Sequence, residues 1–109
     1  DGRHRYKGKL GRESTVEQGY DAAREAAINL LSVLKFELGD LDRITSVVKL
    51  LGFIASTDDF YDQPAVMNGA SDLMVAAFGE KGKHARAAIG TNTLPGNLPV
   101  EIEMIAQFE

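Results

Sequence analysis

Arg86, in Ala85-Arg86-Ala87-Ala88-Ile89, and Glu101, in Val100-Glu101-Ile102-Glu103-Met104-Ile105-Ala106, are the residues of this chain best suited to chemistry. Each is a charge among small or branched apolar neighbours in a strand-like run, and a charge in a half-buried strand needs a partner or a ligand. A guanidinium walled by small side chains can grip a planar carboxylate through two parallel hydrogen bonds. The same spacing also fits a structural ion pair between Arg86 and Glu101 or Glu103, and pattern alone leaves both readings open. Glu101 and Glu103 alternate with Ile102 and Met104, so the two carboxylates share one face of a strand. There they can serve acid/base work or simply form the solvated side of an amphipathic strand.

The remaining polar candidates carry less. His84 looks exposed and has no second His, Asp or Glu at metal-ligand spacing, and His4 is more isolated still, so no metal site is expected. Asn68 and Ser71 lie one turn apart on a predicted helix and read as surface or helix-kink polarity. No Gly-rich phosphate loop, nucleophile elbow or zinc pattern occurs in the chain.

Hydropathy patterning supplies the scaffold for these residues. Ser14-Thr15-Val16-Glu17 sets a hydroxyl three residues before a glutamate, a capping box that predicts a helix starting from Ser14. Val16, Tyr20, Ala23, Ala27, Leu30, Leu31, Leu34 and Leu38 recur at helical spacing, with Glu17, Asp21, Arg24, Glu25, Lys35 and Glu37 among the intervening positions. The result is an amphipathic helix of about six turns. Gly39 closes it in the left-handed conformation that ends helices. Ile44 to Ile54, rich in β-branched and apolar residues, reads as a central strand. After the polar break Ser56-Thr57-Asp58-Asp59, Pro64 marks the first turn of a second helix, with the stripe Val66, Met67, Ala70, Leu73, Met74, Ala77, Phe78 and an end at Gly79 and Gly82. Gly69 inside that helix costs about 1 kcal/mol against alanine, so a packing or functional reason must keep it there.

The last third reads as two strands joined by the turn Leu94-Pro95-Gly96-Asn97-Leu98-Pro99. Residues 1 to 12 read as a loop or hairpin remnant, with Arg3, Arg5 and Lys7 on a solvated surface. Strands interleaved with two helices imply an α+β sandwich, one mixed β-sheet with both helices packed on one face. The opposite face of so small a sheet stays open, and oligomerisation is the common way to cover it.

Composition bounds the possibilities. A chain of 109 residues, 44% hydrophobic and 26% charged, has the size and balance of one ordinary folded domain. Its net charge of -4 disfavours a nucleic-acid partner, because no basic surplus exists to neutralise phosphates. The absence of cysteine rules out disulfides and thiolate chemistry and suits a cytoplasmic location. No apolar run approaches the roughly 20 residues of a membrane span, and the first residues carry no secretory apolar segment.

The ordered set Ala85-Arg86-Ala87-Ala88-Ile89, Leu94-Pro95 and Val100-Glu101-Ile102-Glu103-Met104-Ile105-Ala106 resembles the closing signature of the Rid/YjgF family of small imine deaminases. Glu17 to Arg24, Asn29 to Leu34 and Gly39 to Ile44 are similar to that family's long helix and following strand, so the likeness covers nearly the whole chain as one domain, 1–109. It implies a chorismate-mutase-like fold, a homotrimer, and ligand pockets between subunits. It further implies hydrolysis of reactive 2-imino or enamine acids to 2-keto acids and ammonia, without metal or cofactor. Arg86 matches the arginine that holds the substrate carboxylate, Glu101 the glutamate near the attacking water, and Asn68 an asparagine beside the pocket in some members. Family chains begin with a further strand ending in a Ser-Gly-Gln-like motif, and this chain starts after it. The segment Ser56 to Met67 is longer than in the best-known deaminases, with Tyr61-Asp62-Gln63-Pro64 before Asn68, which resembles a divergent branch. A non-catalytic trimer that binds small carboxylates is the alternative the family allows, and endoribonuclease activity a third reading that the acidic charge makes less attractive.

Overall fold

The structure, a computed structural model, describes residues 6–109. Arg3, His4 and Arg5 therefore lie outside the described residues. The first element is the helix α1, Val16–Leu38. Its N-cap is Thr15 rather than Ser14: the Thr15 hydroxyl accepts from Gln18 N–H at 3.2 Å, while Gln18 Oε1 accepts from Thr15 N–H at 3.0 Å. The capping box is thus displaced by one residue, because glutamine serves as well as glutamate at the third helical position. Ser14 is buried, and its hydroxyl donates to Lys7 O at 3.2 Å. At the other end Gly39, with φ of 85°, donates its N–H to Lys35 O, the stop read from the sequence.

The strand β1, Ile44–Ala55, follows a short turn and is the centre of a three-stranded sheet. The helix α2, Gln63–Phe78, begins with Pro64 in its first turn and ends at Gly79. β2, Ala85–Thr91, pairs parallel with one side of β1, and β3, Val100–Phe108, pairs antiparallel with the other. The order is β2-β1-β3. The turn around Pro95 therefore closes no hairpin; it carries the chain from one sheet edge to the other. Parallel pairing of β1 and β2 requires a crossover, which α2 provides.

Both helices lie on one face of this mixed sheet. Leu50 and Ile54 of β1 point into that layer with no exposed surface, and Ala23, Ala27, Met67, Ala70 and Met74 meet them from the helices. The helices cross closely at Gly69, where a β-carbon would lie 2.0 Å from the Tyr20 carbonyl oxygen. Packing is thus the reason for the glycine inside α2. Residues 6–14 are more than a loop: Leu10 is fully buried in the core, donates its N–H to Ala55 O at 2.9 Å and accepts from Thr57 N–H at 3.1 Å. A lone leucine in a Gly/Lys-rich segment has no periodic neighbours, so periodicity could not assign it to the core. The other face of the sheet has no covering layer, and Ile89 and Ile105 on it are 47% and 59% exposed.

Candidate functional site

Arg86 stands on the edge strand β2, in register with Leu50 of β1. Registered residues of neighbouring strands share a face, so the side chain turns toward the helix layer, at its rim. There Arg86 Nη1 donates to Ser71 Oγ of α2 at 3.1 Å. Ser71 Oγ is also 2.8 Å from His84 Nε2, and His84 Nδ1 is 2.6 Å from the Gly82 carbonyl oxygen. These partners leave one consistent assignment of protons for a neutral imidazole. A carbonyl only accepts, so Nδ1 carries the hydrogen; Nε2 then accepts from the Ser71 hydroxyl, and Ser71 in turn accepts from the guanidinium, which only donates. The Gly82 carbonyl is held in place because the turn Gly79–Gly82 presses on α2: a β-carbon at Gly82 would lie 2.1 Å from Met74 O.

No ion pair joins Arg86 to Glu101 or Glu103. The ion pairs among the described residues include Arg12 with Glu13 and Lys83 with Glu80, all on the surface. Glu101 sits on β3 in register with Phe53, and Glu103 with Leu51, so both carboxylates share the open face. Arg86 and Glu101 are two strands and three residues apart, about 14 Å between Cα atoms by ordinary sheet spacings, and they point to opposite faces. Asn68 is exposed on α2, one turn before Ser71, and its side chain makes no hydrogen bond among the described residues. The chain therefore groups Arg86 with Ser71 and His84 rather than with Glu101. His84 precedes Arg86 by two residues, the strand period, and that spacing is the signal by which the sequence could have joined them. Ser71 borders the apolar stripe of α2 beside Ala70, so it reaches the sheet rather than open solvent.

A concavity of about 270 Å³ lies at the C-terminal ends of β1 and β2, lined among others by Ser56, Thr57, Phe60, Gln63, Thr91 and Asn92. Gln63 Nε2 donates to Phe60 O across it at 2.8 Å. It contains neither Arg86 nor Glu101, and its floor is the segment that separates β1 from α2. Among the described residues no group of three His, Asp or Glu side chains is placed to hold a metal ion. None of the described helices is long and apolar enough to cross a membrane.

The architecture and the sequence agree with one set of known proteins. The model of the family described as "YjgF/chorismate mutase-like, putative endoribonuclease" matches residues 1–107. The chain belongs to the YjgF/chorismate mutase-like family. Among solved structures it is similar to Atu1372, a protein with unknown function from Agrobacterium tumefaciens, at 43% identity and a TM-score of 0.98, over 100% of this chain and 69% of that one. It is also similar to a protein described as a "putative endoribonuclease" from Shewanella oneidensis, at 33% identity and a TM-score of 0.95, over 99% of this chain and 72% of that one. Protein TCP17 of Trypanosoma cruzi is 45% identical over 102 residues, 93% of this chain. The chain spans 64% of the length of that curated relative. Family membership thus accounts for the two-helix layer on a mixed sheet and for the closing signature that carries Arg86 and Glu101.

Proposed function

We propose that the protein hydrolyses small reactive 2-imino or enamine acids to 2-keto acids and ammonia, at a site shared between copies of the chain. The observation that carries this reading is the state of Arg86. One N–H of its guanidinium is held by Ser71, and the parallel Nε–H and Nη2–H edge has no partner among the described residues. That edge is the geometry that grips a carboxylate through two hydrogen bonds. Ala88, two residues on and on the same face, leaves room for a ligand of a few heavy atoms. The position of Glu101 supports a shared site: one chain keeps it on the far face, so a second copy is the source of a carboxylate beside Arg86. Such a homotrimer is the assembly the family resemblance implies.

The chemistry follows from placing a water against the bound imine. With the substrate acid group on Arg86, Glu101 takes a proton from water as the oxygen bonds to the C=N carbon, and the nitrogen gains a proton. The carbinol O–H proton then passes to the amine nitrogen as the C–N bond of the tetrahedral adduct breaks, so ammonia leaves and the oxygen closes to the carbonyl of the keto acid. Positioning converts a slow encounter into an oriented attack. Ammonia release from freshly generated 2-iminobutanoate should be accelerated by the protein, and Arg86→Ala should lower kcat/KM roughly 100-fold. An unaccelerated reaction with the unaltered protein would sink the proposal.

The separation of Arg86 and Glu101 within one chain favours one other reading, a binding protein for small carboxylates. Calorimetry that detects 2-ketobutyrate binding without turnover of the imine would select it. The endoribonuclease description given to the Shewanella relative transfers less well, because this chain carries a net charge of -4.

A further inference from the structure

We infer that Ser71 and His84 are positioning residues that lock the Arg86 guanidinium in its ligand-gripping orientation. The ligand part of this inference rests on the carboxylate-anchor reading above; the lock itself does not. An arginine on an exposed strand edge has many rotamers, and a fork that must meet a planar anion gains from being fixed beforehand. The Gly82 carbonyl sets the His84 tautomer, His84 Nε2 accepts a hydrogen bond from the Ser71 hydroxyl, and the Ser71 lone pair then faces Arg86 Nη1. Every link has its direction imposed by the one before it, starting from a backbone atom. Holding Nη1 matters because it is the nitrogen remote from the Nε–H. The Nε–H and Nη2–H hydrogens lie on the other edge of the guanidinium and stay parallel and outward. His84 and Ser71 thus act on the ligand only through Arg86.

The arrangement is specific in what it demands of each position. Ser71 must present one hydrogen and one lone pair in fixed directions, which alanine cannot do and threonine can. His84 must accept at one ring nitrogen while donating at the other, the property of a neutral imidazole.

The test uses the full chain and two independent readouts. In nitrogen-detected NMR, His84 should carry its hydrogen on Nδ1, and the Arg86 Nη1 hydrogen bonded to Ser71 should exchange slowly with water. Ser71→Ala should speed that exchange, and Ser71→Thr should restore it. In calorimetry with 2-ketobutyrate as the probe, Ser71→Ala and His84→Ala should each weaken binding roughly tenfold, and the double variant should be no weaker than either alone. Turnover of 2-iminobutanoate should show the loss mainly in KM, with kcat nearly kept, because a misoriented anchor weakens ground and transition states together. An Nε2–H tautomer for His84, additive losses in the double variant, or unchanged Arg86 exchange in Ser71→Ala would overturn the inference. A locked Arg86 with the Nδ1–H tautomer and no 2-ketobutyrate binding would uphold the lock while overturning the carboxylate reading.

Discussion

Tyr20 and Arg86 show how one hydrogen bond can serve opposite ends. The Tyr20 hydroxyl donates to Asp72 Oδ2 at 2.8 Å and ties α1 to α2. The carboxylate holds the phenol proton, so the Tyr20 pKa is raised above the ordinary value of 10.0, chiefly by that bond and then by desolvation. A raised folded-state pKa means that the bond stabilises fully below pH about 10 and is lost as pH rises through the folded value. The difference in thermal midpoint between the unaltered protein and Tyr20→Phe should accordingly be flat at neutral pH and narrow above pH about 10; a difference that stays constant through that range would contradict the assignment. Arg86 instead spends one bond on Ser71 and keeps its parallel Nε–H and Nη2–H edge free among the described residues. The sequence singled out Arg86 and Glu101 by residue type, since charges in strand-like runs are conspicuous. It passed over Ser71 and His84 because polar residues at an element's rim look like ordinary surface until a fold brings them within 2.8 Å of each other.

At the scale of elements, the helix pair sets how tightly the site is built, since Ser71 is carried by α2 and α2 is seated on α1. Gly69 is the contact point. Helix propensity favours alanine there by about 1 kcal/mol, whereas its β-carbon would sit 2.0 Å from a backbone oxygen that cannot rotate away. Packing therefore wins, and Gly69→Ala should destabilise the fold by about 1–3 kcal/mol in urea unfolding. A variant as stable as the parent would show that the helices can part without loss. Much of this level was legible beforehand. The extents of α1, β1 and α2 follow from apolar period, cap residues and Pro64, all local signals. The one-residue shift to Thr15 and the burial of Leu10 were not, because the first depends on which hydroxyl faces the helix and the second on contacts with residues more than forty positions away, Ala55 and Thr57.

For the whole molecule the question is how charges on opposite sheet faces could meet on one small ligand. Within a chain β1 stands between them. A second copy supplies the missing partner if its open face approaches the β2 edge, and the uncovered Ile89 and Ile105 give that face apolar surface to bury. Co-expression of Arg86→Ala chains with Glu101→Gln chains should then restore about a quarter of the deaminase activity that each variant lacks alone, the statistical share of sites that receive both unaltered residues in a cyclic oligomer. Mixed oligomers that are as inactive as the separate variants would place both residues in the same chain's site or remove Glu101 from it. By itself, the sequence determined the element types, the central strand, the family signature and the two charges worth watching, because caps, period and composition are properties of neighbouring residues. Only the tertiary structure decided that β2 and β3 flank β1 from opposite sides, that Arg86 and Glu101 face apart, and that Ser71 and His84 stand beside the arginine. Those outcomes depend on strand order and register, which arise from contacts between segments distant in the chain and leave no periodic trace in either segment.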